Sequence, residues 1–187
     1  MRIMAGSRNI LILTVIMLLS GVTLSFVQAC ARIPLSYVPG SVRKTLGSVS
    51  VSNFKYLPAE TGKIKPFQIR NIVLGNLKFD KNIDVFFRDA VFAELGFVGI
   101  KPEDKTRVLD GEIEDFLIDE SSTSADWTLK VHYQVKNRQT GHIIYASTKT
   151  TLRKASKLVN VSGAINEMVK LNIEELLQDE EFIKAIN

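Results

Sequence analysis

The chain is poor in the residues that build disulfides and metal sites. Its 187 residues include one cysteine, one tryptophan and two histidines. A single cysteine excludes a disulfide within the chain, and a metal site needs several converging His, Cys or carboxylate groups. His132 occupies the polar face of a predicted strand and His142 follows a turn glycine, so both are expected at the surface. The sequence therefore predicts neither a disulfide framework nor a bound metal.

Signatures of catalysis are also missing. The sequence has no Gly-x-Ser-x-Gly, Gly-x-x-x-x-Gly-Lys or His-Glu-x-x-His motif. A row of carboxylates, Asp110, Glu112 and Glu114, lies on one face of a predicted strand. The two-residue spacing spreads these groups along the strand, whereas acid–base pairs and calcium sites need groups that converge on one point. We expect a solvated row, no enzymatic activity and no cofactor.

The N-terminal region has the pattern of an export signal. Arg2 and Arg8 stand without an acid in the first nine residues, and the stretch from Ile10 to Phe26 is almost wholly apolar or small. A small residue, Ala29, precedes the cysteine. A basic segment, an apolar segment and a small residue at the cleavage point are typical of a secretory signal peptide, which we predict over residues 1–29.

Residues Val27-Gln28-Ala29-Cys30 resemble the lipobox of bacterial lipoproteins. In those proteins the cysteine thiol receives a diacylglycerol, the signal is cut before the cysteine, and the new amine is acylated. The resemblance implies that Cys30 is the lipidation site and that its lipid attaches the chain to a membrane. Two alternatives stay open: ordinary signal cleavage with a free N-terminal thiol, and an uncleaved anchor over residues 10–26, at the short limit for a bilayer.

Ala31, directly after the cysteine, indicates where the protein is located, and the net charge bears on its partners. Ala31 stands where an aspartate tends to retain enterobacterial lipoproteins in the inner membrane, so the resemblance implies the inner leaflet of the outer membrane, facing the periplasm. The chain has 24 basic and 20 acidic residues, and two of the basic ones lie in the predicted signal. The processed chain is therefore nearly neutral, which gives no indication of nucleic acid binding.

The rest of the chain divides into a tether and one domain. Residues 30–47 contain two prolines and two glycines, with little periodicity, which indicates a flexible tether. Residues 48–187 have the length of a single domain with a sizeable core, and we predict one periplasmic α/β domain there. The sequence gives no indication of its oligomeric state.

Alternating apolar residues predict the strands of this domain. The first strand covers Ser48–Tyr56, and three antiparallel strands lie within Val108–Ile118, Trp127–Lys136 and Ile143–Arg153. A change of apolar register within the first of these three predicts a bulge near Asp115. Segments 67–69 and 77–79 are compatible with short strands or with extended loops.

Two amphipathic helices follow from the spacing of the other apolar residues. One covers Ile83–Leu95, with Asp80 or Asn82 as its N-cap and Gly96 at its end. The other begins at Ser162, its apolar stripe is interrupted by Asn172, and a further helical turn begins at Asp179.

The order strand, helix, three strands, helix predicts an α+β fold, a two-layer sandwich with both helices on one face of a mixed or antiparallel sheet. With its lipobox, the chain resembles small envelope lipoproteins of Gram-negative bacteria, especially the uncharacterised YajG-type group. More distantly it resembles the auxiliary lipoproteins of lipid-transporting ABC systems and the lipopolysaccharide-assembly lipoprotein. The features that carry the resemblance are the lipobox, the tether, the first helix with Gly96-Phe97-Val98-Gly99, the hairpin Val108–Val135, and the terminal Phe182-Ile183-Lys184. The resemblance implies no catalytic residues.

Charged residues occur in blocks of one sign. Residues 103–126 are rich in acids, whereas 32–70 and 130–157 are rich in bases. If neighbouring strands place these blocks side by side, cross-strand ion pairs on a solvated face are the simplest result. A surface that docks a partner is the alternative.

Two functions are compatible with these features. The first is a non-enzymatic, membrane-anchored lipoprotein whose periplasmic domain binds another envelope component in a structural or assembly role. The alternative is a lipid-transport accessory that binds an apolar ligand or docks to an ABC transporter. A pocket between helices and sheet, lined by Phe86, Phe97, Trp127 and Tyr133, would favour the alternative, and a filled core would favour the first function.

Overall fold

The computed structural model describes residues 32–121, 123–156 and 160–187. This part of the chain has an α+β fold with a mixed sheet, and the predicted fold class is confirmed. In chain order its elements are β1 (Ser50–Tyr56), α1 (Leu57–Glu60), β2 (Gln68–Asn71), β3 (Leu77–Lys78), α2 (Ile83–Val98), β4 (Arg107–Glu120), β5 (Ser124–Asn137), β6 (Ile143–Ser156), α3 (Val161–Gln178) and α4 (Glu180–Ile186).

Strand β4 lies at the centre of the sheet. One edge of β4 pairs in parallel with β1, where Ser50 lies opposite Val108, and then with β2, where Arg70 lies opposite Leu117. The other edge pairs antiparallel with β5, so β1 and β2 follow one another along a single edge of β4. Strand β3 extends the sheet beyond β2, and β6 extends it beyond β5.

The three long strands confirm the predicted antiparallel arrangement and the predicted bulge. β4 pairs with β5 and β5 with β6, and the register of β4 against β5 shifts between Ile113 and Asp115. The extra residue moves the apolar set from Leu109, Gly111 and Ile113 to Phe116 and Ile118, so both sets face the buried side. Gly111 has no room for a side chain, because an added Cβ would lie 2.2 Å from the carbonyl oxygen of His132.

The two long helices cover the buried side of the sheet. Helix α2 packs against β1, α3 packs against β5 and β6, and the two helices contact each other. Their buried residues recur at steps of three and four, as the sequence predicts. Those of α2 are Ile83, Phe86, Phe87, Ala90, Val91, Glu94, Leu95 and Val98. Those of α3 are Ala164, Ile165, Met168, Val169, Asn172, Ile173, Leu176 and Leu177.

Several predicted helix boundaries are wrong. Helix α2 continues through Gly96 to Val98 and ends at Gly99, whose φ of 104° is a left-handed conformation that glycine adopts at little cost. Asn82 occupies the N-cap position of α2 but makes no side-chain cap bond. The cap of α3 is Asn160, whose side chain accepts from the backbone N–H groups of Ser162 and Gly163. The predicted turn after Asp179 is present as α4.

The predicted element order omitted four short elements. Segments 67–69 and 77–79, for which strand and loop were both compatible, overlap β2 and β3, and α1 and α4 complete the set. Parallel pairing of β1 and β2 with β4 was also absent from the prediction. Such short segments carry too few residues for a periodicity, and their pairing is decided by β4, which lies far along the chain.

The segment predicted as a flexible tether packs on the domain over residues 32–47. Leu35 and Ser41 are buried, and Ile33 forms a parallel bridge with Phe79. The backbone N–H of Thr45 donates to the carbonyl of Val98, at the end of α2. Prolines and glycines here permit an extended path over the surface, which the sequence pattern does not distinguish from flexibility.

Asp179 joins α4 to β6. Its Oδ2 accepts hydrogen bonds from the Tyr145 hydroxyl and the Lys149 ammonium, both at 2.7 Å. Its Oδ1 accepts from the backbone N–H groups of Glu181 and Phe182 and so caps α4. Burial raises the pKa of this carboxyl, but the hydrogen bonds outweigh burial and lower the pKa from 3.8 to about 2.

We predict that Asp179→Asn removes acid-dependent stability. Because the pKa of Asp179 is lower in the folded state, the ionised group stabilises the fold fully above about pH 4, and this contribution is lost as the pH falls towards 2. Urea unfolding at pH 7 should show a loss of about 2 kcal/mol in the variant, and the difference from the natural protein should shrink near pH 2. Asp126→Asn, at an exposed pair with Lys154, is the control and should change little. An equal loss at both pH values would contradict this account.

Candidate functional site

The four residues of the predicted apolar pocket have different environments. Phe86, Trp127 and Tyr133 are buried in the core, whereas the side chain of Phe97 is 46% exposed. Lys44 Nζ lies 4.6 Å from the centroid of the Phe97 ring, on the outer side of α2. The residues therefore do not line one common cavity between the helices and the sheet. The indole N–H of Trp127 has no acceptor among the described residues.

Aromatic rings fill the space beneath α2. The centroids of Phe54 and Phe87 are 5.1 Å apart, and those of Phe54 and Tyr133 are 5.9 Å apart, both in edge-on arrangements. The Phe87 and Tyr133 rings lie 6.2 Å apart. These are ordinary contact distances for aromatic pairs, so the interior at this point is packed with side chains.

Asn172 satisfies the polar groups of this core. Its Oδ1 accepts from the Tyr133 hydroxyl at 2.7 Å, and its Nδ2 donates to Thr151 Oγ1 at 3.0 Å. Both Asn172 and Tyr133 are fully buried. The interruption that Asn172 makes in the apolar stripe of α3 is therefore a structural hydrogen bond between helix and sheet, since buried polar groups are costly without partners.

The carboxylate row of β4 is paired with three lysines from the two neighbouring strands, β1 and β5. Asp110 contacts Lys136 at 2.9 Å, Glu112 contacts Lys55 at 3.3 Å, and Glu114 contacts Lys130 at 2.8 Å. The predicted cross-strand pairing of acidic and basic blocks is confirmed. These groups lie on the face of the sheet opposite the helices. Half-exposed ion pairs there contribute about 0–1 kcal/mol each to the free energy of unfolding. Paired in this way, the row presents little net charge to a ligand.

Glu94 is the most unusual charged residue in the described part of the chain, because its carboxylate is fully buried. Its oxygens accept from the backbone N–H groups of Gly40 and Ser41 and from the hydroxyl of Tyr37. Burial and the bond to Glu94 raise the pKa of Tyr37 far above its ordinary value, so this hydroxyl stays a donor. We name this arrangement the Glu94 clasp. It fastens residues 37–41 to helix α2.

The clasp is one of several attachments along the same segment. Asn166 of α3 accepts from the N–H of Val38, Ser162 donates to the carbonyl of Pro34, and Asp80 accepts from the N–H of Leu35. Both long helices and the β3 region therefore hold the segment.

Sequence reasoning missed the clasp although the sequence carried a signal for it. Glu94 falls three residues after Val91 and four after Ala90, on the stripe that the periodicity assigns to the core. A carboxylate at a core position needs hydrogen-bond donors, and these come from a segment more than 50 residues earlier in the chain. Periodicity indicates burial, but it does not identify donors from another segment.

The other predicted site residues give simpler outcomes. Cys30 lies outside the described residues. His132 is half-exposed and hydrogen-bonds Thr148, and His142 is exposed. Within the described ranges, no group of three His, Cys, Asp or Glu side chains is placed to hold a metal ion. None of the helices formed by residues 32–187, outside 122 and 157–159, has the length and apolar character required to cross a bilayer.

Comparison with known proteins identifies a shared fold. A Xanthomonas campestris protein of the domain family DUF330 superposes with a TM-score of 0.63 at 12% identity, over 82% of this chain and 96% of that one. A minor lipoprotein from Acinetobacter baumannii matches with a TM-score of 0.35 at 18% identity, over 78% and 94% of the two chains. Lipoprotein GNA1162 from Neisseria meningitidis matches with a TM-score of 0.32 at 10% identity, over 71% and 99%. The first likeness shows the fold alone, and nothing below rests on the other two.

Comparisons of the sequence itself give no relative. No protein-family model matches the chain, and no curated protein matches it significantly. The function has to be argued from the residues and their geometry.

We predict that Tyr133 and Asn172 are energetically coupled. Asn172→Ala leaves the Tyr133 hydroxyl buried without its acceptor and should cost about 2–4 kcal/mol of unfolding free energy. Tyr133→Phe should cost about 1–2 kcal/mol, and the double variant should lose less than the sum. Urea unfolding of the four proteins measures the coupling. Additive losses would mean that the bond contributes nothing of its own.

We predict that Glu94→Gln loosens the segment at residues 37–41. A neutral amide is a weaker acceptor than a carboxylate, and its NH₂ group opposes the donors of Gly40 and Ser41. Hydrogen exchange at these two amides should accelerate by roughly tenfold to a hundredfold, equivalent to about 1–3 kcal/mol. Asp89→Asn, on an exposed position of the same helix, is the matched control. Unchanged protection in Glu94→Gln would show that the clasp does not hold the segment.

Proposed function

We propose that this chain is a lipid-anchored, non-enzymatic protein of the bacterial envelope whose domain acts by binding another envelope component. Cys30 is the attachment point, and the folded domain is the part that meets the partner. The proposal combines the lipobox resemblance with the packing of the interior and with the attachment of residues 32–47. Each of these is independent of the others.

The filled core is the observation that carries the binding role. Rings of Phe54, Phe87 and Tyr133 touch where a carrier of apolar ligands would need an open cavity. The buried hydroxyl of Tyr133 is already bonded to Asn172. A domain with a packed interior has its surface left for recognition, which favours the first of the two functions over carriage of a ligand.

The uncovered face of the sheet is the broadest surface available to a protein partner. Its acids and lysines are paired with one another, and exposed Ile144 and Leu152 lie on the same face in β6. A partner there would meet a nearly neutral surface, so charge would contribute little to the speed of its association. Docking to a membrane transporter, part of the alternative function, remains compatible with such a face.

The membrane leaflet and the lipoprotein family are proposed from the sequence. Ala31 after the cysteine supports delivery to the inner leaflet of the outer membrane, and the overall pattern supports kinship with the YajG-type lipoproteins. The mixed α+β domain is compatible with that kinship.

Membrane attachment is tested by Cys30→Ala in the full chain expressed in a Gram-negative host. We expect the natural protein in the outer-membrane fraction, with a triacylated Cys30 identified by mass spectrometry. The variant should leave the membrane fraction almost completely, because the chain has one cysteine. Ala31→Asp is the matched control: it should keep the lipid and move the protein to the inner membrane. In-vivo cross-linking of the natural protein then identifies the partner.

Different results would favour the open alternatives. A natural protein with an unmodified N-terminus at Cys30 would mean ordinary secretion. A natural protein that keeps residues 1–29 and stays in the membrane after alkaline washing would mean an uncleaved anchor. Cross-linking that captures only lipid would contradict the binding role and support lipid carriage.

A further inference from the structure

The loop between β2 and β3 exposes three consecutive large aliphatic side chains. Ile72, Val73 and Leu74 are 60%, 55% and 70% exposed. We name these three residues the apolar loop. A run of exposed aliphatic residues is unusual on the surface of a soluble domain and commonly marks a contact with a protein or a membrane.

The apolar loop has a defined conformation. Asn71 is buried, and its Oδ1 accepts from the backbone N–H groups of Val73 and Leu74, both at 3.0 Å. The N–H of Ile72 donates to the carbonyl of Ile118 at the end of β4. Gly75 follows with a φ of 84°, which turns the chain into β3. The fold therefore holds the aliphatic side chains in solvent instead of letting them turn inwards.

The start of the described chain pairs with the residues just after β3, the strand that follows this loop. Ile33 pairs in parallel with Phe79: its N–H donates to Lys78, and its carbonyl accepts from Asp80. Because the bridge is parallel, Arg32 lies on the Lys78 side of Ile33, and β3 leads back from Lys78 through Leu77 to the apolar loop. Two residues, Ala31 and Arg32, separate Ile33 from Cys30. Three residue steps span at most about 10 Å, so the chain itself keeps Cys30 within that distance of Ile33.

The described charges at this end of the sheet are of both signs. Asp119 and Asp126 lie opposite each other in the register of β4 and β5, next to the loop end of β2. Lys154 lies beside Asp126, with its Nζ at 3.9 Å. Lys78, in the strand that follows the loop, is an exposed base, and so is Arg32. Since neither sign dominates, the three aliphatic side chains are the feature that favours a membrane, and they favour insertion into hydrocarbon over attraction to anionic headgroups.

We propose that the apolar loop is a membrane-contact site, inserted in the same bilayer leaflet that holds the lipid on Cys30. The inference rests on the proposed lipid anchor, because the short path from Ile33 to Cys30 brings that leaflet to the loop. The Glu94 clasp and the Ile33–Phe79 bridge hold the described chain against the domain as far as Ile33. The lipid and the loop together form two points of attachment, so the domain is held in one orientation at the membrane.

Tryptophan fluorescence in vesicles tests this contact. The full-length protein carrying Leu74→Trp is purified from a Gram-negative host and reconstituted in phosphatidylcholine vesicles with or without brominated acyl chains, which quench indole in the hydrocarbon region. The matched control is Leu152→Trp, because Leu152 is 72% exposed on the uncovered face of the sheet. The natural Trp127 is buried and provides the background. Mass spectrometry of the N-terminus of each sample reports lipidation separately.

We expect Leu74→Trp emission to shift to the blue and to be quenched several-fold more strongly than Leu152→Trp emission, with no dependence on salt. Equal, weak quenching of both variants on lipidated protein would overturn the membrane contact and leave the lipid anchor intact. A blue shift without quenching would overturn it in favour of a protein covering the loop. Quenching that needs anionic lipid or low salt would contradict an apolar contact. An unlipidated N-terminus would overturn the proposed anchor and this inference with it.

Discussion

Strand β4 is the constraint on which the rest of the structure depends. It is hydrogen-bonded along its whole length to β5, and its opposite edge is shared by β1 and β2. The bulge between Ile113 and Asp115 separates the stretch that pairs with β1 from the stretch that pairs with β2. Without the extra residue, the second half of β4 would turn its apolar side chains to the wet face of the sheet. The buried layer beneath the two long helices therefore requires the bulge.

The polar interactions of the domain hold distant segments of the chain in place. The acids of β4 form ion pairs with lysines, Asn172 accepts a hydrogen bond from Tyr133, and Glu94 accepts hydrogen bonds from the segment at residues 37–41. Each bond joins parts of the chain that are distant in sequence. For an anchored protein this matters because the last attachment point before Cys30 determines how the domain sits at a membrane. Residues 32–47, which the sequence predicts as a flexible tether, are held against the domain by such bonds.

Periodicity predicted the elements whose burial pattern repeats over many residues. Examples are the alternation from Trp127 to Lys136, the register change in β4 and the apolar stripe of α2. In each of them the position of every apolar residue indicates which face is buried. The ends of the helices were harder to predict, since Gly96 and Gly99 are equivalent as sequence signals, and only the observed φ of 104° distinguishes Gly99. Of the four aromatic residues proposed to line a pocket, three are buried and Phe97 is half-exposed. Whether they surround a cavity or pack against one another depends on distances that a sequence does not contain.

The sequence by itself determined the α+β class, the three long strands and the pairing of charge blocks, because these depend on residue type and on local spacing. Tertiary structure alone decided that Glu94 finds its donors in residues 37–41, that β1 and β2 share one edge of β4, and that Ile33 pairs with Phe79. These contacts join segments tens of residues apart. Local periodicity carries no information about such pairings, because they are selected by the packing of the whole domain.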